Sequence, residues 1–360
     1  MQIETIHILL WLIPLGFISK NTNTLRYELT CGRWGWRSTP IFAFIVFLPV
    51  FLMTVFGPLR GDMFAYVRGF QRLRTDPEGA LLAIERAKDP GFAVFNLIIK
   101  TVLGPNETVF RFVLAAVHSV PLVLILRKYS EDYVFSVFLF VAVGYHLAWM
   151  MNGMRQFLAV SIIFAATPWI IKQDTVKSIL CILLAATCHK TALIFLPIIF
   201  IVRGPVWTWK TITFSILIVI AMVFISRNSS AFDSFTDSLG YSISAVKVEG
   251  DDGVNPIRVL VHAIPMLLSL IFRDDIRKDD NALINMCVNM SVITTGVYLI
   301  GMITSGIMIG RLPIYTSLYD LILLPYLIRR FNSEKISQVV YLGSIILFTA
   351  YCYIQVGGFW

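Results

Sequence analysis

Residues 108–126 read TVFRFVLAAVHSVPLVLIL and are followed at once by Arg127 and Lys128. At 1.5 Å per residue, a helix of that length covers roughly 30 Å, the thickness of a bilayer's hydrocarbon core. Outward from this stretch, further apolar runs able to cross lie at residues 5–18, 40–56, 133–150, 156–171, 211–225, 257–272, 282–301, 312–328 and 339–354. Backbone groups in lipid must find partners within their own segment, so each run reads as a helix. The expected fold is all-α and polytopic: one integral membrane domain over residues 1–360 with about ten transmembrane helices.

Composition points the same way. Hydrophobic residues make up 57% of the chain and charged residues 14%, against roughly 45–50% and about 25% in soluble domains. A soluble fold is excluded. The net charge of +8 would suggest nucleic acid in a soluble protein, but here the basic residues sit in short loops and read as topology signals. Cys31, Cys181, Cys188, Cys287 and Cys352 form no CxxC pair, so neither a zinc site nor a disulfide framework is expected. The first run lacks a basic leader and a small-residue cleavage site, so it reads as a span rather than a cleaved signal.

Two apolar segments, 92–103 and 178–202, fit the map less well. The first is about 12 residues long, too short to cross. The second is interrupted by Cys188, His189 and Lys190. Lys and Arg favour cytoplasmic loops. With the N-terminus outside, that bias holds from end to end if 92–103 is an amphipathic helix on the outer surface and 178–202 is a re-entrant half-helix pair. The pair then enters from the cytoplasm and turns at His189 and Lys190. The outer side carries segment 57–107 and an acidic loop at 227–255. The competing reading, one kinked span through 178–202, reverses every later loop.

Cytoplasmic loops of about 20 residues hold no nucleotide-binding domain, and no GxxxxGK[ST] or GxGxxG follows a strand. Substrate must therefore come from the lipid or the far side. Arg60, Arg155 and Arg311 stand at outer ends of spans, against the charge bias. In Arg60-Gly61-Asp62, followed by Tyr66 and Phe70 at helical spacing, the guanidinium can hold a carboxylate ionised for base chemistry or for a sugar hydroxyl. The same stretch also reads as a turn with a local salt bridge. Asp89-Pro90-Gly91-Phe92 reads as a structural helix start, with Asp89 as cap. Asn152, Arg155 and Gln156 fall on one helix face, with Ala159 a turn further in leaving room for a ligand; a forked guanidinium suits phosphate oxygens, including those of a lipid. Arg311, Tyr315 and Tyr319 recur every four residues, which fits a sugar-and-phosphate wall or an aromatic packing stripe. An ionisable pair such as His189 and Lys190 in mid-bilayer costs roughly 2.5 kcal/mol or more and marks function. His118, His146 and His262 read as lone core histidines, and the Asp251–252, Asp274–275 and Asp279–280 pairs as solvated faces rather than metal ligands.

Taken in order, these residues resemble a family. Gly61-Asp62 with Tyr66, Asp89-Pro90-Gly91-Phe92 with Asn96, Asn152 with Arg155-Gln156-Phe157-Leu158-Ala159, and Cys188-His189-Lys190-Thr191-Ala192-Leu193 follow the order seen in EpsG-like, Wzy-type polysaccharide polymerases. The resemblance covers about residues 60–197 and, more loosely, 311–325. It implies polymerisation of undecaprenyl-diphosphate-linked oligosaccharide units at the outer, periplasmic side of a bacterial cytoplasmic (inner) membrane, for capsule, O-antigen or exopolysaccharide. It also implies lipid-linked donor and acceptor units and membrane lipids as partners, with a chain-length regulator and a flippase as neighbours, and no nucleic acid, cofactor or metal.

The chemistry needs positioning, a base and charge stabilisation. On this reading Asp62 is the base with His189 as rival. Arg60, Arg155, Lys190 and Arg311 hold diphosphate oxygens, while Tyr66, Asn152, Gln156, Tyr315 and Tyr319 contact sugar. A lipid-linked oligosaccharide flippase, an O-antigen-ligase-like transferase and a membrane O-acyltransferase remain the competing functions. A transporter would show internal repeats and polar sites open in turn to both sides, and neither is seen.

Overall fold

A computed structural model of the chain describes residues 2–22, 25–28, 34–59, 61–228, 253–304, 306, 309–331 and 333–358. Arg60, Cys31, the Asp251–252 pair and most of the acidic loop lie outside the described residues. The architecture is helical apart from a two-stranded antiparallel hairpin, Leu25–Glu28 against Trp34–Arg37, a small departure from the all-α expectation.

Helix ends follow local chemistry. Thr39 caps Pro40–Phe56 by accepting from the Phe42 N–H, with Pro40 in the first turn. Asn106 caps Glu107–Tyr129, whose last turn carries Arg127 and Lys128 where the helix dipole favours cations. Large apolar side chains remain uncovered, among them Ile41 at 75% and Ile346 at 70% exposure, as befits helices whose outer faces meet lipid. Glu107–Tyr129, Ala282–Ile303 and Glu334–Gln355 are each long and apolar enough to cross a membrane. Counting each of two bent helix pairs as one span raises the number to five.

Breaks divide some of the expected runs. Residues 133–150 divide into Tyr133–Ala142 and Tyr145–Asn152, inclined by 70°, because Gly144 takes φ +71° and breaks the ladder. Residues 257–272 form the single helix Pro256–Ile271, which turns by 70° at its end into Arg273–Asp279. Residues 312–328 break into Ile314–Ser317 and Asp320–Ile328. Around Pro313 the chain closes three-residue turns, Thr316 N–H to Pro313 O and Tyr319 N–H to Thr316 O, in place of an unbroken α ladder.

The chain divides into two compact units, Met1–Ile199 with Phe331–Trp360, and Phe200–Arg330. In the first, Pro40–Phe56 packs along Glu107–Tyr129 through Phe51, Val55 and Ala115. Met154–Ala165 lies against both Glu107–Tyr129 and Thr175–Cys188. Two basic side chains close helix ends from across the unit. Buried Arg111 donates to the carbonyls of Thr54 and Gly57 at the end of Pro40–Phe56. Lys100 donates to Phe70, Gln71 and Leu73 at 2.7–3.1 Å, closing Asp62–Arg72. The segment that carries Gly61 is thus clamped at both ends.

In the second unit Ala282–Ile303 is the central helix, packed against Pro256–Ile271, Trp209–Arg227 and Asp320–Ile328. Three of its polar residues reach across to neighbours: Asn289 donates to Val202 O, Thr294 pairs with Thr316 at 2.7 Å, and Thr295 donates to His262 O. His262 is not the lone histidine expected, since its Nδ1 lies 3.7 Å from the buried Asp320 carboxylate. Asp279 is engaged by Arg330 and Tyr326, and Asp280 by Asn285.

Candidate active site

Three segments of the first unit meet around one guanidinium. Arg155, in the first turn of Met154–Ala165, donates from Nη1 to Asp89 Oδ2 at 2.7 Å and from Nε to Tyr66 Oη at 3.3 Å. Its guanidinium carbon also lies 5.6 Å from the centre of the Tyr66 ring. Asp89 is 4% exposed and Arg155 partly open, with 34% of its side chain exposed. Exposed Asp62 begins the helix Asp62–Arg72 and lies within electrostatic reach of Arg155.

Local sequence explains how these groups converge. Gly61 adopts φ +52°, ψ −132°, a conformation that favours glycine, and a Cβ there would stand 2.8 Å from Asn152 Oδ1. The backbone before Asp62 therefore rests on the Asn152 side chain. Gly91 permits a second close approach, where a Cβ would lie 2.1 Å from Thr187 Oγ1 and 2.8 Å from the Thr187 carbonyl carbon. That contact sets Pro90–Leu103 against Thr175–Cys188 and brings Asp89 within electrostatic reach of Cys188. Tyr66 in turn meets Phe92 edge to face, with ring centres 5.7 Å apart.

The remaining expected site residues are placed as follows. Asn152, Arg155 and Gln156 do not share one helix face: Tyr145–Asn152 ends at Gly153, on which the Trp149 ring packs, and a new helix begins at Met154. Asn152 and Arg155 still both border the Gly61-Asp62 corner, whereas Gln156 is buried. His189 stands in the break between Thr175–Cys188 and the 3₁₀ turn Lys190–Ile194, its Nδ1 2.6 Å from Thr191 Oγ1. Lys190 beside it is exposed. Arg311, Tyr315 and Tyr319 belong to the second unit, where the two tyrosines are buried at 2% and 0% exposure. Among the described residues no group of three or more His, Cys, Asp or Glu comes together as a metal site.

Asp89 is the residue that sequence reasoning missed. Read as a helix cap, it makes no side-chain capping bond and pairs with Arg155 instead. The signal was present: an arginine at the edge of an apolar run demands a carboxylate from elsewhere, and Asp89 opens another apolar helix. The cluster thus offers a carboxylate, a half-engaged guanidinium, an amide and an aromatic face.

A family model described as the EpsG family matches residues 41–358. No curated protein and no solved structure matches the chain.

Proposed function

The chain belongs to the EpsG family, and from that premise we propose that it is a polymerising glycosyltransferase acting on undecaprenyl-diphosphate-linked oligosaccharide units. The observation that carries this reading is the meeting of Asp62, Tyr66, Asp89, Asn152 and Arg155 inside the matched region. Family membership supports the broad role in polysaccharide biosynthesis. The donor, the bond formed and the side of the membrane are part of the proposal.

In the proposed step an acceptor hydroxyl attacks the donor's anomeric carbon. A glycosidic C–O bond forms as the anomeric C–O bond to diphosphate breaks, and the electron pair leaves with undecaprenyl diphosphate. The hydroxyl proton passes to a base. Asp62 is exposed and within electrostatic reach of Arg155, so it takes that role ahead of His189, whose Nδ1 is already bonded to Thr191. The leaving group is good without further help, which leaves the protein to position two lipid-linked molecules and balance charge. Lys190, exposed at the helix break, is the described cation taken to meet phosphate oxygens, with Arg60 a further candidate.

Topology completes the proposal: about ten crossings, residues 178–202 entering from the cytoplasm, and the cluster facing the periplasm of a bacterial inner membrane. The loop charges support that orientation. A detergent-solubilised preparation supplied with lipid-linked units tests the function. Lengthening saccharide with release of undecaprenyl diphosphate is the expected result. Units that cross a vesicle membrane without bond formation would identify a flippase instead.

A further inference from the structure

The charges around Arg155 assign a ligand to this cluster. Asp89 neutralises the guanidinium at 2.7 Å, and Asp62 adds a second carboxylate within reach. Asp62, Asp89 and Arg155 together are net negative. Counting Arg60, which adjoins Gly61 in the chain, brings the balance only to neutral. A diphosphate ester carries about two negative charges, and a cluster of this balance offers it no net attraction.

A sugar ring is matched instead. Of the five N–H donors of a guanidinium, two are engaged, Nε with Tyr66 and one at Nη1 with Asp89, leaving the others open at a partly exposed side chain. Asp62 accepts from a hydroxyl, and Asn152 beside Gly61 both donates and accepts. The Tyr66 ring, braced by Phe92, adds an apolar face. Buried Asp89 holds Arg155 from behind and keeps its charge compensated, so it is a positioning residue rather than a catalytic one.

Resting on the polymerase reading, we infer that the Asp62–Tyr66–Asn152–Arg155 cluster binds the acceptor saccharide and presents its hydroxyl to Asp62. The donor's diphosphate lies outside it.

The test uses the full-length protein in lipid nanodiscs. One arm measures binding of undecaprenyl diphosphate bearing no sugar. The other measures transfer from lipid-linked units to lipid-free repeat units, released from the same lipid by mild acid, which can accept but cannot donate. The Asp89→Asn, Arg155→Gln double variant keeps a neutral hydrogen-bonding pair and so avoids a stranded buried charge. It is expected to leave lipid-diphosphate affinity within about twofold, while KM for the lipid-free acceptor rises about tenfold or more, the worth of lost charged hydrogen bonds. Exposed Asp62→Asn is expected to tighten or preserve lipid-diphosphate binding and to slow transfer about a hundredfold or more. A loss of lipid-diphosphate affinity of about tenfold in the double variant, or in Asp62→Asn, overturns the assignment. An unchanged acceptor KM in the double variant overturns it too. A wild type that transfers to neither acceptor overturns the polymerase reading instead, while the lipid-diphosphate arm still reports whether these residues hold the phosphates.

Discussion

Arg155 and Asp89, 66 residues apart in the chain, meet at 2.7 Å with the carboxylate buried and the guanidinium partly exposed. One ion pair thereby ties the start of Met154–Ala165 to the start of Pro90–Leu103. Removing only one partner is costly, because a buried charge is stranded.

Arg155→Ala is therefore expected to destabilise the protein by about 3 kcal/mol. The Asp89→Asn, Arg155→Gln double variant should recover most of that loss. Thermal unfolding in detergent of the single and double variants measures the coupling, and additive losses would show that the pair holds nothing together.

Gly91→Ala places a methyl 2.1 Å from Thr187 Oγ1 but also 2.8 Å from the Thr187 carbonyl carbon. Trimming the side chain cannot relieve a clash with the backbone. The expected outcome is a lowered melting temperature that Thr187→Ala fails to rescue, read by thermal shift together with gel-filtration profile. Full rescue would mean that the helices have room to part.

Gly61→Ala meets two obstacles, a φ of +52° and the Asn152 Oδ1 at 2.8 Å. The strained backbone alone costs about 1–3 kcal/mol. Adding Asn152→Ala removes the clash and leaves the strain, so partial recovery of stability is expected in the double variant. Transfer should stay low in it, because the amide beside Asp62 is gone. Wild-type transfer rates in Gly61→Ala would show that the Gly61-Asp62 corner is not required.

Lys100→Met removes the donor that closes Asp62–Arg72 while keeping the apolar stem. Three carbonyls, those of Phe70, Gln71 and Leu73, lose a charged partner. A loss of about 1.5–3 kcal/mol is expected. Hydrogen exchange should show lowered protection at residues 66–73, with Glu107–Tyr129 unchanged; equal loss in both helices would contradict a local cap.

Part of this was legible in the sequence. Residues 108–126, 282–301 and 339–354 were readable because each is one apolar run without a break, and each became a single helix. The Gly61-Asp62 corner, the helix carrying Tyr66, and the break at His189 were also readable, because glycine and polar residues interrupt an otherwise regular pattern. Hydropathy could not see the bend at Gly144, since an apolar run looks alike whether straight or folded by a left-handed glycine. It also could not see the turns around Pro313. Partners across the chain were invisible for a different reason. Asp89 looks like a cap and His262 like a core residue until tertiary packing brings Arg155 and Asp320 beside them.

The central claim is that Asp62, beside Arg155, takes the proton as a glycosidic bond forms. Undecaprenyl diphosphate released per glycosidic bond, measured with lipid-linked units at matched protein levels, tests it most directly. Wild type is predicted to release one lipid diphosphate for each bond, and Asp62→Asn, folded to the same melting temperature, to lose about a hundredfold or more in rate. A fully active Asp62→Asn variant would contradict the account.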